Sequence, residues 1–149
     1  MAYRCMNDCL LDLEKHGHLV RITEETDPNL EMAAIHRRVY EAGGPALWFT
    51  NVKGSSFTCV SNLFGTLERS KFMFRHTLAK VQKVVTLKAI PEAALKKPWQ
   101  YLGVPFTALN ALPMRSRFGA PVTYAQTTID QLPQIKSWPM DGGAFVTLP

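Results

Sequence analysis

"HLVRITEETDPNLEMAAIHRRVYEAGGPALWFTN", residues 18–51, decides how this chain folds. Its first eight residues set His18, Val20, Ile22 and Glu24 against Leu19, Arg21, Thr23 and Glu25, the two-residue alternation of a half-buried strand. Asp27-Pro28 then opens a helix, since aspartate caps free N–H groups and proline fits the first helical position without losing a bond. Met32, Ile35, Val39 and Ala42 form the helix's apolar stripe, and Gly43-Gly44-Pro45 ends it. "ALWFTN" (46–51) reads as a second strand, joined through the turn at 51–55 to a third, "SFTCVSNLF" (56–64). Strand, helix, strand, strand predicts a right-handed crossover unit followed by a hairpin.

On the N-terminal side, residues 3–16 read as an amphipathic helix carrying Met6, Cys9, Leu10 and Leu13, with Gly17 as its stop. On the C-terminal side the 3.6-residue period returns at Gly65-Thr66, with Leu67, Phe74, Leu78, Val81 and Val85 as one stripe. A short helix is expected within 88–97 after Pro91, and broken helical turns over 98–116, where Gly103 and Pro105 interrupt. "PVTYAQTTI" (121–129) reads as a strand. "WPMDGGAFVTLP" (138–149) gives a tight turn and a last strand, 144–148, that needs a neighbour for its backbone groups. The expected class is α/β (mixed α+β): a small mixed sheet of about five strands flanked by helices.

At 149 residues, 46% hydrophobic and 19% charged, the composition is that of an ordinary globular domain. No apolar run approaches the roughly 20 residues of a membrane span. Asp8, Asp12 and Glu14 interrupt what would be the apolar region of a secretion signal, so a cytoplasmic location is expected. Cys5, Cys9 and Cys59 are an odd number without a CxxC pair, which suits a reducing compartment and small apolar core residues. The net charge of +5 is uneven: residues 66–97 hold eight Lys/Arg against two Asp/Glu. Such a stretch suits anionic partners, but the plainer reading is a solvated helix face. Nucleic-acid binding through Lys71, Phe72, Phe74 and Arg75 is disfavoured, because the spacing puts Phe74 on the apolar stripe.

Chemical motifs are few. GxGxxG, Walker, HExxH and GxSxG patterns are absent. His16-Gly17-His18 spans a helix–strand junction, where side chains diverge, and reads as an exposed turn; His36, beside Arg37 and Arg38, reads as surface. Asn62-Leu63-Phe64-Gly65-Thr66 turns a strand into a helix whose first N–H groups suit an anion, although Thr66 as a simple cap explains the pattern more economically.

"GGPALWFTNVKG" (43–54) followed by "NLFGTLERSKF" (62–72) closely resembles the N-terminal domain of the UbiD family of carboxy-lyases, the 3-octaprenyl-4-hydroxybenzoate decarboxylases of ubiquinone synthesis and their relatives. "LLDLEKHGHLVRITEETDPNLEMAAIHRRV" (10–39), "ALPMRSRFGAPVTYAQ" (111–126) and "IDQLPQIKSWPMDGGAFVTLP" (129–149) resemble neighbouring blocks in the same order. The resemblance implies reversible decarboxylation of aromatic or α,β-unsaturated acids with prenylated FMN and a divalent metal such as manganese. It also implies that cofactor, metal and catalytic residues lie in a later split-barrel domain. No catalytic, cofactor-binding or metal-binding residue is therefore assigned to residues 1–149. The expected organisation is a UbiD-like N-terminal domain over 1–137 and the start of the connection to the cofactor domain over 138–149. That cofactor domain is the expected partner, homo-oligomerisation is possible, and neither nucleic acid nor a transmembrane segment is expected. The chain alone is expected to be structural and inactive; the alternative is a stand-alone assembly module derived from such an enzyme.

Overall fold

The computed structural model describes residues 3–90, 92, 98–110, 112 and 124–144. Three strands form one sheet in the order β1 (Leu19–Ile22), β2 (Ala46–Phe49), β3 (Cys59–Ser61). β1 and β2 run parallel, with Leu19 opposite Ala46 and Ile22 opposite Phe49. The connection between them contains α2 (Glu31–Glu41), as a parallel pair requires. β2 and β3 are antiparallel, pairing Leu47 with Ser61 and Phe49 with Cys59. The crossover and hairpin expected from 18–64 are therefore present.

The mixed α/β class holds, but the count of about five strands does not: the described residues form three. Of the strand expected at 121–129, residues 124–128 form none, and Ile129–Gln131 is a 3₁₀ turn. The Gln134 Nε2 amide donates to Ile129 O at 3.1 Å and to Leu132 O at 3.0 Å, local side-chain-to-backbone bonds of the kind that compete with ladder formation. Residues 121–123, all of the expected strand at 144–148 except Ala144, and most of the expected helix at 88–97 lie outside the described residues.

The chain divides into two compact units. The first, Tyr3–Ser70 with Ala125–Pro149, holds the sheet. All four residues of β2 are buried. Leu47 and Phe49 form a core with Met32 and Val52, against which Ile22, Ile35, Val39 and Cys59 pack. Phe49 is 1% exposed, and full burial of a side chain this size is worth about 1.5–3 kcal/mol. α1 (Met6–Lys15) packs on β1 and buries Cys9, Leu10 and Leu13, the expected stripe apart from Met6, which is exposed. Its end is the αL stop foreseen for Gly17, at φ +74, with the His18 N–H reaching back to Leu13 O at 2.8 Å.

Asp27 does cap, but not the helix itself. Its Oδ1 accepts the Asn29 N–H at 2.8 Å, and its own N–H donates to Glu31 Oε2 at 2.7 Å. α2 begins only at Glu31, after Leu30 at φ +73. The delay has a cause: Leu30 N–H donates to Lys136 O and Lys136 N–H to Pro28 O, so residues 28–30 pair with a distant segment before they turn helical. Ala42, expected on the α2 stripe, is exposed because the helix ends one residue earlier.

The second unit is Lys71–Tyr124, and α3 (Leu67–Met73) has residues in both. Here α4 (Leu78–Ala89) packs with α5 (Val104–Asn110), which follows a 3₁₀ turn at Pro98–Gln100. Broken helical turns are thus found in the described part of 98–116. The expected stripe from Leu67 to Val85 is not a buried one: Leu67, Phe74, Val81 and Val85 are all more than half exposed. α3 ends at Met73, and the intervening turn shifts the helical phase, so one stripe cannot run through both helices.

Candidate functional site

Two places in the first unit gather polar chemistry. One is the turn after β3. Asn62 adopts φ +59, which asparagine tolerates, and its amide Nδ2 donates to Pro45 O at 2.8 Å and Gly44 O at 3.2 Å. Thr66 Oγ1 accepts the Arg69 N–H at 3.3 Å, so the threonine caps α3 as the plainer reading held. Below the turn lies Arg69, 2% exposed. Its Nε donates to Leu63 O at 3.0 Å, and its Nη1 to Gly44 O at 3.0 Å and His18 O at 3.4 Å. Burial pushes the guanidinium pKa down from its ordinary value. Gly65 is required here for space: a Cβ would overlap Asn62 Oδ1 and lie 2.7 Å from Asn62 Cγ. Asn62 and Arg69 face inward and hold backbone together, while Phe64 in the turn is exposed; α3, seven residues long, offers no anion site. Arg69 is a correction to the charge reading, since one of the eight cations of 66–97 is a core residue rather than part of a solvated face.

The other place is a cleft of about 410 Å³ between α2, the β2–β3 hairpin and residues Ile135 and Ser137. Met32 and Phe49 supply apolar surface, Cys59 and Ser61 come from β3, and His36 and Tyr40 come from α2. The rings of His36 and Tyr40 stack at 6.1 Å with 17° between planes. His36 was expected on the surface; it is half-buried. Its Nδ1 and the Ser61 Oγ are both enclosed and have no hydrogen-bond partner among the described residues. Arg37, also lining the cleft, is 3.0 Å from Glu41 in an exposed ion pair. Burial raises the Cys59 thiol pKa, so the thiol stays protonated at neutral pH.

The remaining candidates disperse. His16 is exposed and sits with its Nδ1 2.8 Å from Asp12 O, while His18 is half-buried. Cys9 is a core residue as expected and Cys59 is half-buried, but Cys5 is exposed, because α1 starts only after it. Among the described residues no group of three His, Cys, Asp or Glu is placed to hold a metal. None of their helices is long and apolar enough to cross a membrane.

His36 was legible in principle. Met32, Ile35, His36 and Val39 fall at the i, i+3, i+4, i+7 spacing of one helix face, and the flanking arginines hid that position.

Comparison with known proteins gives a consistent picture. A family model described as the 3-octaprenyl-4-hydroxybenzoate carboxy-lyase N-terminal domain matches residues 10–88, more than half of the chain. An uncharacterized protein of Chlamydia trachomatis serovar D is 39% identical over 145 residues, covering 94% of this chain and 25% of its own length. A Chlamydia pneumoniae protein, named as part of a 4-hydroxybenzoate decarboxylase, is 38% identical over 135 residues, covering 88% and 23% respectively. The chain therefore spans about a quarter of the length of the curated relatives it matches. Among solved structures, vanillic acid decarboxylase of Sedimentibacter hydroxybenzoicus in its open form is 28% identical, with a TM-score of 0.48, covering 58% of this chain and 19% of that one.

Proposed function

Because the chain belongs to the family of 3-octaprenyl-4-hydroxybenzoate carboxy-lyase N-terminal domains, we propose that it serves as the framing domain of a UbiD-like decarboxylase. The observation that carries this reading is the family match over residues 10–88, which takes in the crossover, the hairpin, the Asn62–Thr66 turn and most of α4. The whole protein would remove CO₂, reversibly, from an aromatic or α,β-unsaturated acid such as a polyprenyl-hydroxybenzoate, as a step of ubiquinone synthesis in the cytoplasm. Prenylated FMN would supply the electron sink in the cofactor domain, together with a divalent metal such as manganese. The described residues here do not fit that metal, since they offer no cluster of three ligands, and no step is assigned to them. In this reading residues 1–137 are the domain, 138–149 lead toward the cofactor domain, and that domain and further copies of the same protein are the partners.

Decarboxylation assays separate the parts. The 149-residue chain supplied with prenylated FMN and manganese should release no CO₂ from hydroxybenzoates, whereas the protein encoded by the gene when read past Pro149 should do so. Turnover by the 149-residue chain alone would sink the proposal.

A further inference from the structure

We propose that the second unit, Lys71–Tyr124, docks on the surface of an anionic lipid bilayer through the face shared by α4 and α5. Among the described residues of that unit Met73 alone is buried, and α4 buries none of its side chains. Its apolar groups lie at the surface instead. Leu102, Phe106 and Leu109 fall at i, i+4, i+7 spacing, one row along α5 and the turn before it, and all three are exposed. Trp99 is 83% exposed, an unusual position for the largest apolar side chain. Trp99 and Phe106 line one shallow depression with Lys80 and Lys83 of α4, so apolar rings and cations share a face.

Charge names the occupant. Residues 71–124 hold nine Lys/Arg against a single Asp/Glu, whereas the rest of the chain holds eight against eleven. α4 carries Lys80, Lys83 and Lys88 and no acid, and no carboxylate among the described residues pairs with them. A basic helix interleaved with apolar residues is the pattern of a membrane-surface element. A protein partner fits less well, because lysine is depleted at protein interfaces, where an unpaired ammonium would have to leave water. Nucleic acid fits less well too, since leucine offers nothing to phosphates or base edges. A bilayer surface takes both kinds of group at once. Leu102, Phe106 and Leu109 enter the acyl boundary, Trp99 sits at headgroup level, and the lysine stems follow the apolar surface while their ammonium groups meet lipid phosphates. None of the described helices is long and apolar enough to cross the bilayer, so the contact is made on its surface.

Sedimentation with lipid vesicles tests the docking, using both the 149-residue chain and the longer protein encoded when the gene is read past Pro149. Both should bind vesicles of phosphatidylcholine and phosphatidylglycerol at about two to one, and bind pure phosphatidylcholine about tenfold more weakly. Added salt should weaken the binding. Replacing both lysines, Lys80→Gln with Lys83→Gln, should weaken binding to the anionic vesicles about tenfold. Trp99→Ala with Phe106→Ala should weaken it to a similar extent, about tenfold, by removing the inserted rings. All four side chains are exposed, so melting temperatures should hold, and Lys15→Gln in the first unit should leave binding unchanged. Tryptophan emission should move to the blue on binding, and the shift should vanish in Trp99→Phe. No binding, equal binding to neutral vesicles, or release from vesicles by single-stranded RNA would overturn the proposal. So would binding by the 149-residue chain that the longer protein lacks, since the continuation would then cover this face. None of these readouts uses decarboxylation, so the docking can fail while the proposed function stands, and the reverse.

Discussion

Replacing Gly65 by alanine tests whether the turn after β3 is held by close approach. The backbone there needs no left-handed conformation, so the effect comes from space alone. The added methyl would occupy the position of Asn62 Oδ1 and lie 2.7 Å from Asn62 Cγ and 3.2 Å from Arg69 Nη2. Asn62 is 7% exposed and must move. Its amide then loses Pro45 O and Gly44 O. Gly44 O keeps the Arg69 Nη1 bond, but no other hydrogen bond among the described residues reaches Pro45 O. Two hydrogen bonds at about 1 kcal/mol each, plus about 1–2 kcal/mol for the stranded carbonyl, give a destabilisation of about 3–4 kcal/mol. For a chain of this size that is a fall in melting temperature on the order of 10 °C. Urea denaturation of wild type, Gly65→Ala, Asn62→Ala and the double variant closes a thermodynamic cycle. If the methyl acts through Asn62, the double variant should be hardly less stable than Asn62→Ala. Strict additivity, or a Gly65→Ala cost below about 0.5 kcal/mol, would refute the reasoning.

Arg69→Met should cost about 3 kcal/mol in urea denaturation, because Leu63 O loses its donor and two further carbonyls lose a charged one; Arg69→Lys should recover only part of it. Gly17→Ala should cost about 1 kcal/mol through backbone conformation alone, since φ is +74 and nothing lies within 4 Å of the new methyl, and calorimetry would show it as a small fall in melting temperature. The Lys53 ammonium, first, and then the Asn29 N–H hold the Asp27 carboxyl below its ordinary 3.8, while Asp27 raises Lys53. A depressed carboxylate pKa stabilises the fold above the unfolded value and loses that contribution as pH falls through the folded one. Lys53→Met should therefore lower the urea midpoint at about pH 7 and do so progressively less as the pH falls below the ordinary 3.8 of Asp27; a difference that does not shrink on acidification would contradict the pairing.

The crossover and hairpin were legible because their signals are local and mutually consistent: alternation in β1, the 3.6 period in α2, a Gly-Gly-Pro stop, an all-apolar β2. What escaped was set at a distance. The start of α2 moved to Glu31 because Lys136, more than a hundred positions on, takes the Leu30 N–H and the Pro28 carbonyl. Arg69 looked like any cation in a basic run, and nothing in its neighbours announces that carbonyls of His18 and Gly44 converge on it. The cleft is likewise a tertiary product: Ser61 and Ile135 meet α2 only in the folded chain. The stripe from Leu67 to Val85 failed for a simpler reason, because periodicity cannot reveal a phase break between two short helices.

The guanidinium of Arg69 joins carbonyls from before β1, before β2 and after β3. Those three points of the chain converge only once the parallel pair has closed and the hairpin has returned. Before that moment the charge is better served by water, so the bonds are expected to form on the native side of the folding barrier. Loss of Arg69 should then steepen escape from the native state and leave the approach to it nearly unchanged. This one side chain should then set how long the fold lasts once made.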